Sequence, residues 1–478
     1  MLRIGATPPG GCRIGRRALF RIGGAGLAGV SAGVADVAAL LGSPGRTAIA
    51  AESPAVPRGL LRDRSVIFLF MHGGPSQLES FDPKADGPAN VRCQTGLVST
   101  SIPGVAFGAT FEQLAARAHL LRVVRSFTTG DGNHDIKPVV GAATRRANLG
   151  ALYARVAGAT RADSAMPTNL ALFPHAVCAN AGPPITQFGD FAASGDLGPA
   201  CAPVVPGAGG GFQDDMTLHV DPARLGDRRA LVAALDRGRA WRDAAAVRGA
   251  TAIHDSAYDA LLRGVSDAFD LSREDPGTLA AYDTAALVAP AAIDRKWNNH
   301  KHYADHGQSI GKLLLLARRL CERGAGFVTV TTSFVWDMHA DVNNAPVAEG
   351  MGYVGAPFDH AVAAFIDDCE ARGLADRILL VCCGEMGRTP ALNAAGGRDH
   401  WGGLAPLLLY GGGIGRGVVH GRSTRDGGQP AGDAVTIPDL VATVLDALVD
   451  RSQARLVDGL PASLLAALGE GRSLLGDA

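Results

Sequence analysis

Histidines and carboxylates recur in short polar segments that adjoin apolar runs. MHGGPSQLESFDP holds His72, Ser76, Glu79 and Asp82, and SFVWDMHAD holds Asp337, His339 and Asp341. GEMGRTP supplies Glu385 and Arg388, and GGRDHWGG supplies Arg398, Asp399 and His400. Imidazole nitrogen and carboxylate oxygen are the donors that bind divalent ions such as zinc, manganese or calcium. An ion held by them polarises a phosphoryl, sulfuryl or carbonyl oxygen and lowers the pKa of bound water, so that hydrolysis proceeds near neutral pH. His72, Asp337, His339, Glu385 and His400 are accordingly the candidate metal ligands, and Arg388 or Arg398 offers a forked guanidinium for an anionic substrate group. Each also has a plain structural role open to it: a loop histidine more often hydrogen-bonds than ligates, Glu385 suits a turn cap, and Trp401 suits a closed core.

Other motifs are weaker. His302 and His306 have i,i+4 spacing beside His300, but no intervening glutamate completes an HExxH pattern. Gly411-Gly412-Gly413-Ile414-Gly415-Arg416-Gly417 lacks the third glycine of GxGxxG and precedes an apolar VVHG segment, which reads as a tight turn. No P-loop and no GxSxG nucleophile elbow occurs.

The elements that must position these segments alternate. Residues 65–71, 120–124, 327–331, 378–382 and 407–410 are short continuous apolar runs, the pattern of strands buried on both faces. Helical patterns cover 111–118, 138–148, 303–323, 357–372 and 437–449, and an Ala-, Arg- and Leu-rich stretch at 227–269 suits exposed helices. Residues 178–216, rich in Pro and Gly, read as a loop, so the chain is one α/β domain over 51–478 with a loop-rich and helical insert around 150–275. The expected fold class is a three-layer α/β architecture, a mostly parallel sheet flanked by helices. In such a sheet ligands bind beyond the carboxyl ends of the strands, where the polar segments fall.

The 478 residues, 47% hydrophobic, suffice for one large core or two ordinary ones. Forty-five Lys+Arg against 46 Asp+Glu give a net charge of -1, which disfavours nucleic acid and anionic membranes as partners. The first fifty residues differ from the rest: a basic start, a Gly- and Ala-rich apolar stretch and then small residues form a secretory signal layout. Arg16-Arg17 followed by Ala18, Leu19 and Phe20 resembles a twin-arginine signal, with Gly15 where Ser or Thr is usual. Ala48-Ile49-Ala50 fits the A-x-A cleavage pattern, so the expected mature chain starts at Ala51, outside the cytoplasm and with the twin-arginine export machinery as a partner. No later run is long and apolar enough for a membrane-spanning helix. Removal of Cys12 leaves an odd number of cysteines without a CxxC pair; a disulfide such as Cys178 with Cys201 is open.

The segments FLFMHGGPSQLESFDPKAD, LLRVVRSFTTGDGNHD, GQSIGKLLLLARRLCERGAGFVTV, WDMHAD, GEMGRTP, GGRDHWG and YGGGIGRGVVHGRS, in this order, resemble domain-of-unknown-function family 1501 over nearly the whole chain. The resemblance implies an alkaline phosphatase/sulfatase-like fold with metal ligands on strand-end loops. It groups Asp337, His339 and His400 into one metal site and sets Glu385 at a second, where Met386 stands in place of a histidine. Where phosphatases and sulfatases of that fold place a Ser, Thr or Cys nucleophile, NHDIKPVVGAATRR has His134 and Asp135, with Thr128 and Thr129 just upstream. No CxPSR or CxAxR segment for a formylglycine exists. The expectation is an exported, periplasmic or extracellular metal-dependent hydrolase of phosphate or sulfate esters, taking a small anionic ester or saccharide. His134, Asp135 and Arg388 are its expected catalytic residues, with His134 as acid/base or orienting a water. The alternative is a non-catalytic extracytoplasmic binding or scaffold protein on a degenerate fold of this type.

Overall fold

The computed structural model describes residues 59–207, most of 221–231, 265–457 and 460–476. The twin-arginine pattern, the cleavage site before Ala51 and most of the helical stretch expected at 227–269 lie outside the described residues. The strands are β1 (Ser65–Phe70), β2 (Leu97–Ser99), β3 (Ala106–Gly108), β4 (Leu121–Val124), β5 (Asn169–Leu172), β6 (Phe327–Thr331), β7 (Ile378–Cys383), β8 (Gly387–Arg388), β9 (His400–Trp401), β10 (Leu407–Gly411) and β11 (Val418–His420). Seven of them form one sheet in the order β11-β4-β10-β7-β1-β6-β5, and two short pairs, β2-β3 and β8-β9, stand apart. Within the large sheet β10 alone runs antiparallel to its neighbours β4 and β7, and the other pairings are parallel.

Register decides where the loops emerge. Phe70 at the end of β1 pairs with Thr331 of β6 and Cys383 of β7, so the segments after these strands leave from one edge. Leu407, the first residue of β10, pairs with Cys383 and with Val124, so the segment before β10 arrives at that same edge. This is why GGRDHWGG precedes its strand while the other polar segments follow theirs. The glycines at 411–413 end and follow β10 and therefore lie at the opposite edge, where Gly411 packs against the carbonyls of Ala375 and Ile378.

The continuous apolar strands are explained by two covered faces. Successive side chains point to opposite sides of a strand. Ile67, Leu69, Val328, Val330, Leu380 and Cys382 join one core. Val66, Phe68, Phe70, Leu379, Val381 and Cys383 join the other. The long helices are α1 (Leu149–Ala157), α2 (His300–Glu322), α3 (Val347–Ala371), α4 (Ile437–Leu448) and α5 (Ala462–Glu470). Leu313 of α2 and Phe358 of α3 cover the first face; Leu152 of α1, Leu440 of α4 and Leu464 of α5 cover the second. Burial of each such side chain is worth about 1.5–3 kcal/mol. The fold is thus a three-layer, mostly parallel α/β sheet flanked by helices. Among the described residues no helix is long and apolar enough to cross a membrane.

Two helices differ from expectation. The stretch 138–148 forms turns, because Arg145 and Arg146 adopt φ of 56° and 58°, in the left-handed region that a right-handed helix excludes. The helix starts at Leu149 instead, where the Asn148 side chain accepts a hydrogen bond from the Gly150 amide. Helix α3 starts ten residues before Pro357, which stands inside it rather than at its first turn. The described cysteines, Cys178 and Cys201 included, are free thiols.

Candidate metal centre

At the sheet edge where β1, β6 and β7 end, the chain turns sharply. Gly73 has φ +116°, and a Cβ there would lie 2.7 Å from the backbone nitrogens of Trp336 and Asp337. That contact brings the loop after β1 against the loop after β6, and the amides of Val335 and Trp336 donate to the His72 carbonyl. Gly397 plays the matching part for the segment before β10: a Cβ at this position would fall 2.2 Å from the His339 carbonyl carbon. Between the two, Ala340 adopts φ +59°, a costly conformation for alanine that turns the chain directly after His339.

Three side chains converge there. His134 Nε2 lies 3.1 Å from His400 Nε2, His400 Nε2 lies 3.3 Å from Asp337 Oδ1, and His134 Nε2 lies 3.4 Å from the same oxygen. Ligand atoms bonded at about 2.0–2.2 Å around a tetrahedral ion are themselves about 3.3–3.6 Å apart, so the triangle has the size that a bound ion imposes. Among the described residues these three are the group of imidazoles and carboxylates whose donor atoms approach closely enough to share one ion. The His400 side chain is 34% exposed and that of Asp337 7%, so the triangle opens toward solvent on the His400 side.

The surroundings orient each donor. His134 Nδ1 donates to Glu385 Oε1 at 2.8 Å, and the Gly73 amide donates to the same oxygen at 2.9 Å. With its proton on Nδ1, the imidazole turns Nε2 toward Asp337 and His400, an arrangement that raises ligand basicity in metal sites. Burial opposes protonation of His134, but its hydrogen bonds to Asp337 and Glu385 outweigh burial and raise its pKa. A proton and a cation therefore compete for the same nitrogen. Five groups surround Asp337: Arg388 Nη2 donates to Oδ1 at 2.6 Å, and His339 Nε2 and Asn344 Nδ2 donate to Oδ2 at 3.0 and 3.1 Å, while His134 and His400 face Oδ1. Burial favours the neutral acid, but the Arg388 charge and the histidine contacts hold the carboxyl well below the usual carboxylate range.

Two buried atoms beside the triangle have no hydrogen-bond partner: Glu385 Oε2 and His72 Nε2. Unpartnered buried polar atoms are rare and costly, and they are the lone pairs a cation or its bound water would use. His72 lies outside the triangle. Its ring packs edge-on against Phe334, Phe188 and Phe191 at 5.0 to 5.8 Å, and burial lowers its pKa to about 4, against the opposing pull of Glu385.

The other expected residues take different places. Arg388 was expected to face a substrate, but its guanidinium is turned inward. Beyond Asp337, its nitrogens donate to the carbonyls of Gly73, Gly74 and Arg398, and the side chain is buried. Arg398 is equally enclosed, paired with Glu79 at 2.8 Å and donating to the carbonyls of Val91 and Arg92. Both planar forks are filled by the protein itself. Asp82 pairs with Lys84 and accepts from Ser423, and Asp341 caps the amides of Asn343 and Asn344. Asp135 is exposed beside His134. Thr128 Oγ1 donates to the Gly402 carbonyl at 2.9 Å, and Thr129 Oγ1 to that of Asp131 at 3.5 Å. His306 is buried with Nε2 on the Val354 carbonyl, and His300 Nδ1 faces the Trp297 carbonyl. Two parts of the site escaped sequence reading: the place of His134 in the donor triangle, and Asn344, an asparagine in a polar run that carries no signal of its own.

The whole of this edge falls within residues 63–459, which match the family described as "Protein of unknown function (DUF1501)". The chain belongs to the DUF1501 family. No curated protein matches it. Among solved structures, this DUF1501 protein is similar to a sulfatase from Pseudoalteromonas sp., at 12% identity over 86% of this chain and 73% of that one, with a TM-score of 0.38. It is also similar to a phosphonate monoester hydrolase from Silicibacter pomeroyi, at 11% identity over 86% and 76% of the two chains, TM-score 0.36. A third is the integral membrane lipooligosaccharide phosphoethanolamine transferase A of Neisseria meningitidis, at 10% identity over 82% and 55%, TM-score 0.32.

Proposed function

We propose that this DUF1501 protein is an exported, metal-dependent hydrolase of phosphate or sulfate esters. The observation that supports the reading is the triangle of His134 Nε2, His400 Nε2 and Asp337 Oδ1, with edges of 3.1 to 3.4 Å at the carboxyl edge of the sheet. Two nitrogens and one carboxylate oxygen suit zinc or manganese better than calcium, which prefers an all-oxygen shell. A divalent ion held there would supply Lewis-acid polarisation of the ester oxygen and a hydrolytic water of lowered pKa.

The remaining steps belong to the chain. Glu385 keeps the proton on His134 Nδ1, so that Nε2 stays available as a donor. Arg388, His339 and Asn344 fix the Asp337 carboxylate in position. His339, 26% exposed, donates from Nε2 to Asp337. Export is supported by Arg16-Arg17 and the Ala48-Ile49-Ala50 pattern.

Elemental analysis after loading with zinc or manganese and dialysis tests the reading, alongside a panel of chromogenic phosphate and sulfate esters. About one ion per chain is expected, lost in Asp337→Ala and His400→Ala. Equal metal content in the wild type and both variants would sink it. One observation favours the rival reading, a non-catalytic extracytoplasmic binding or scaffold protein. The Thr128 and Thr129 hydroxyls are spent on backbone carbonyls, and among the described residues no hydroxyl or thiol is hydrogen-bonded to the triangle. Metal uptake without turnover of any ester would select that reading.

A further inference from the structure

The charges that surround the triangle specify how much charge its ligand brings. Asp337 and Glu385 are the buried carboxylates of the site, and Arg388 is its buried cation. With the imidazoles neutral, a divalent ion and the Arg388 guanidinium set against these two carboxylates leave one net positive charge. A ligand with a single negative charge neutralises it. A ligand with two leaves an uncompensated negative charge in a partly dehydrated site, which is strongly unfavourable.

Among the described residues nothing outside the triangle reverses this balance. The guanidiniums that could have clamped a second anionic oxygen are turned away, Arg388 onto Asp337 and backbone carbonyls, and Arg398 onto Glu79. The exposed rim is acidic. Asp131, Asp135 and Asp399 are exposed, and each lies within three residues of His134 or His400. The Asp131–Gly132 turn packs directly on the His400–Gly402 backbone. The nearby ammonium, Lys137, and Asp131 lie 2.6 Å apart and offset each other, so the net charge of the rim comes from Asp135 and Asp399.

We infer that the site accepts singly charged esters, sulfate monoesters and phosphate diesters, and discriminates against doubly charged phosphate monoesters. The inference rests on the metal-dependent reading above and narrows its substrate class.

The test is calorimetric binding to the zinc-loaded full-length protein at about pH 8, where a phosphate monoester carries close to two negative charges. Methyl sulfate and methyl phosphate have the same tetrahedral shape and differ in charge, and dimethyl phosphate matches methyl sulfate in charge but not in shape. Methyl sulfate and dimethyl phosphate are expected to bind at least about tenfold more tightly than methyl phosphate, roughly a 1.4 kcal/mol difference. A triple Asp131→Asn, Asp135→Asn, Asp399→Asn variant is expected to narrow that ratio while retaining zinc. Equal or tighter binding of methyl phosphate to protein shown to hold zinc would overturn the charge assignment and leave the metal site standing. Failure to take up zinc would overturn both.

Discussion

His134 Nδ1 lies 2.8 Å from Glu385 Oε1, across 251 positions of sequence, and this contact decides which nitrogen of the imidazole faces Asp337 and His400. A glutamine at 385 offers a carbonyl that can accept the same bonds but carries no charge, so Glu385→Gln should fold normally. It should lose about 10–100-fold in metal affinity, the usual effect of removing a group that orients a ligand. Glu385→Ala should in addition leave the Gly73 amide and His134 Nδ1 buried without an acceptor, at about 1–3 kcal/mol each. Competition for zinc with a chromophoric chelator, run beside thermal unfolding, separates the two effects. Unchanged affinity in the glutamine variant would show that the contact does not govern the site.

Gly73 should tolerate no side chain. Its φ of +116° is strained for any L-residue, and a Cβ would meet the Trp336 and Asp337 backbone nitrogens at 2.7 Å. Gly73→Ala is expected to cost about 2 kcal/mol or more of stability, since backbone rather than a flexible side chain must yield. Because the displaced backbone bears Asp337, metal uptake should fall in the protein that still folds. Chemical denaturation and metal content measured on one preparation would check this, and wild-type values in both would refute it.

An ion that binds only the folded chain should stabilise it by mass action, about 2.7 kcal/mol at a free concentration of 100 Kd. Chelation should therefore lower the melting temperature of the wild type, and zinc should restore it. His400→Ala should melt at one temperature with or without chelator. This readout is independent of catalysis, and a wild type indifferent to chelator and zinc would count against the ion.

Much of the fold was legible because β1, β6 and β7 are buried on both faces, which writes them into the sequence as unbroken apolar runs. The edge strands β5 and β11, four and three residues long, leave no such trace. The helix expected at 138–148 failed on the left-handed conformations of Arg145 and Arg146, which residue type does not announce. At the candidate site, donor types were readable from the side chains, but their direction was not. Arg388 and Arg398 sit 51 and 319 positions from Asp337 and Glu79, the carboxylates that turn them inward. The antiparallel course of β10, which delivers His400 to the same edge as Asp337, is a property of the sheet and has no signature in the local sequence.

Away from the candidate site, Glu274 gathers Arg318 and Arg319 on Oε2 at 2.8 and 2.9 Å, and Arg372 on Oε1 at 3.0 Å. Burial of this carboxyl works against its charge, but the Arg319 hydrogen bond and the Arg318 charge prevail and lower its pKa to about 2. A carboxyl with a depressed folded pKa gives stability that is fully present above its unfolded value. That stability is lost as pH falls from about 4.5 toward 2. Glu274→Gln should thus be less stable than the wild type at neutral pH, by about 1–3 kcal/mol for the lost charge-assisted bonds. Arg318 keeps Asp368 and Glu322 as partners, which limits the loss. The gap between the two proteins should close as the wild-type carboxyl takes up its proton. Denaturation midpoints for both proteins from pH 7 down to pH 2 test this. A gap that stays constant across the acid range would mean that Glu274 contributes through packing rather than through charge.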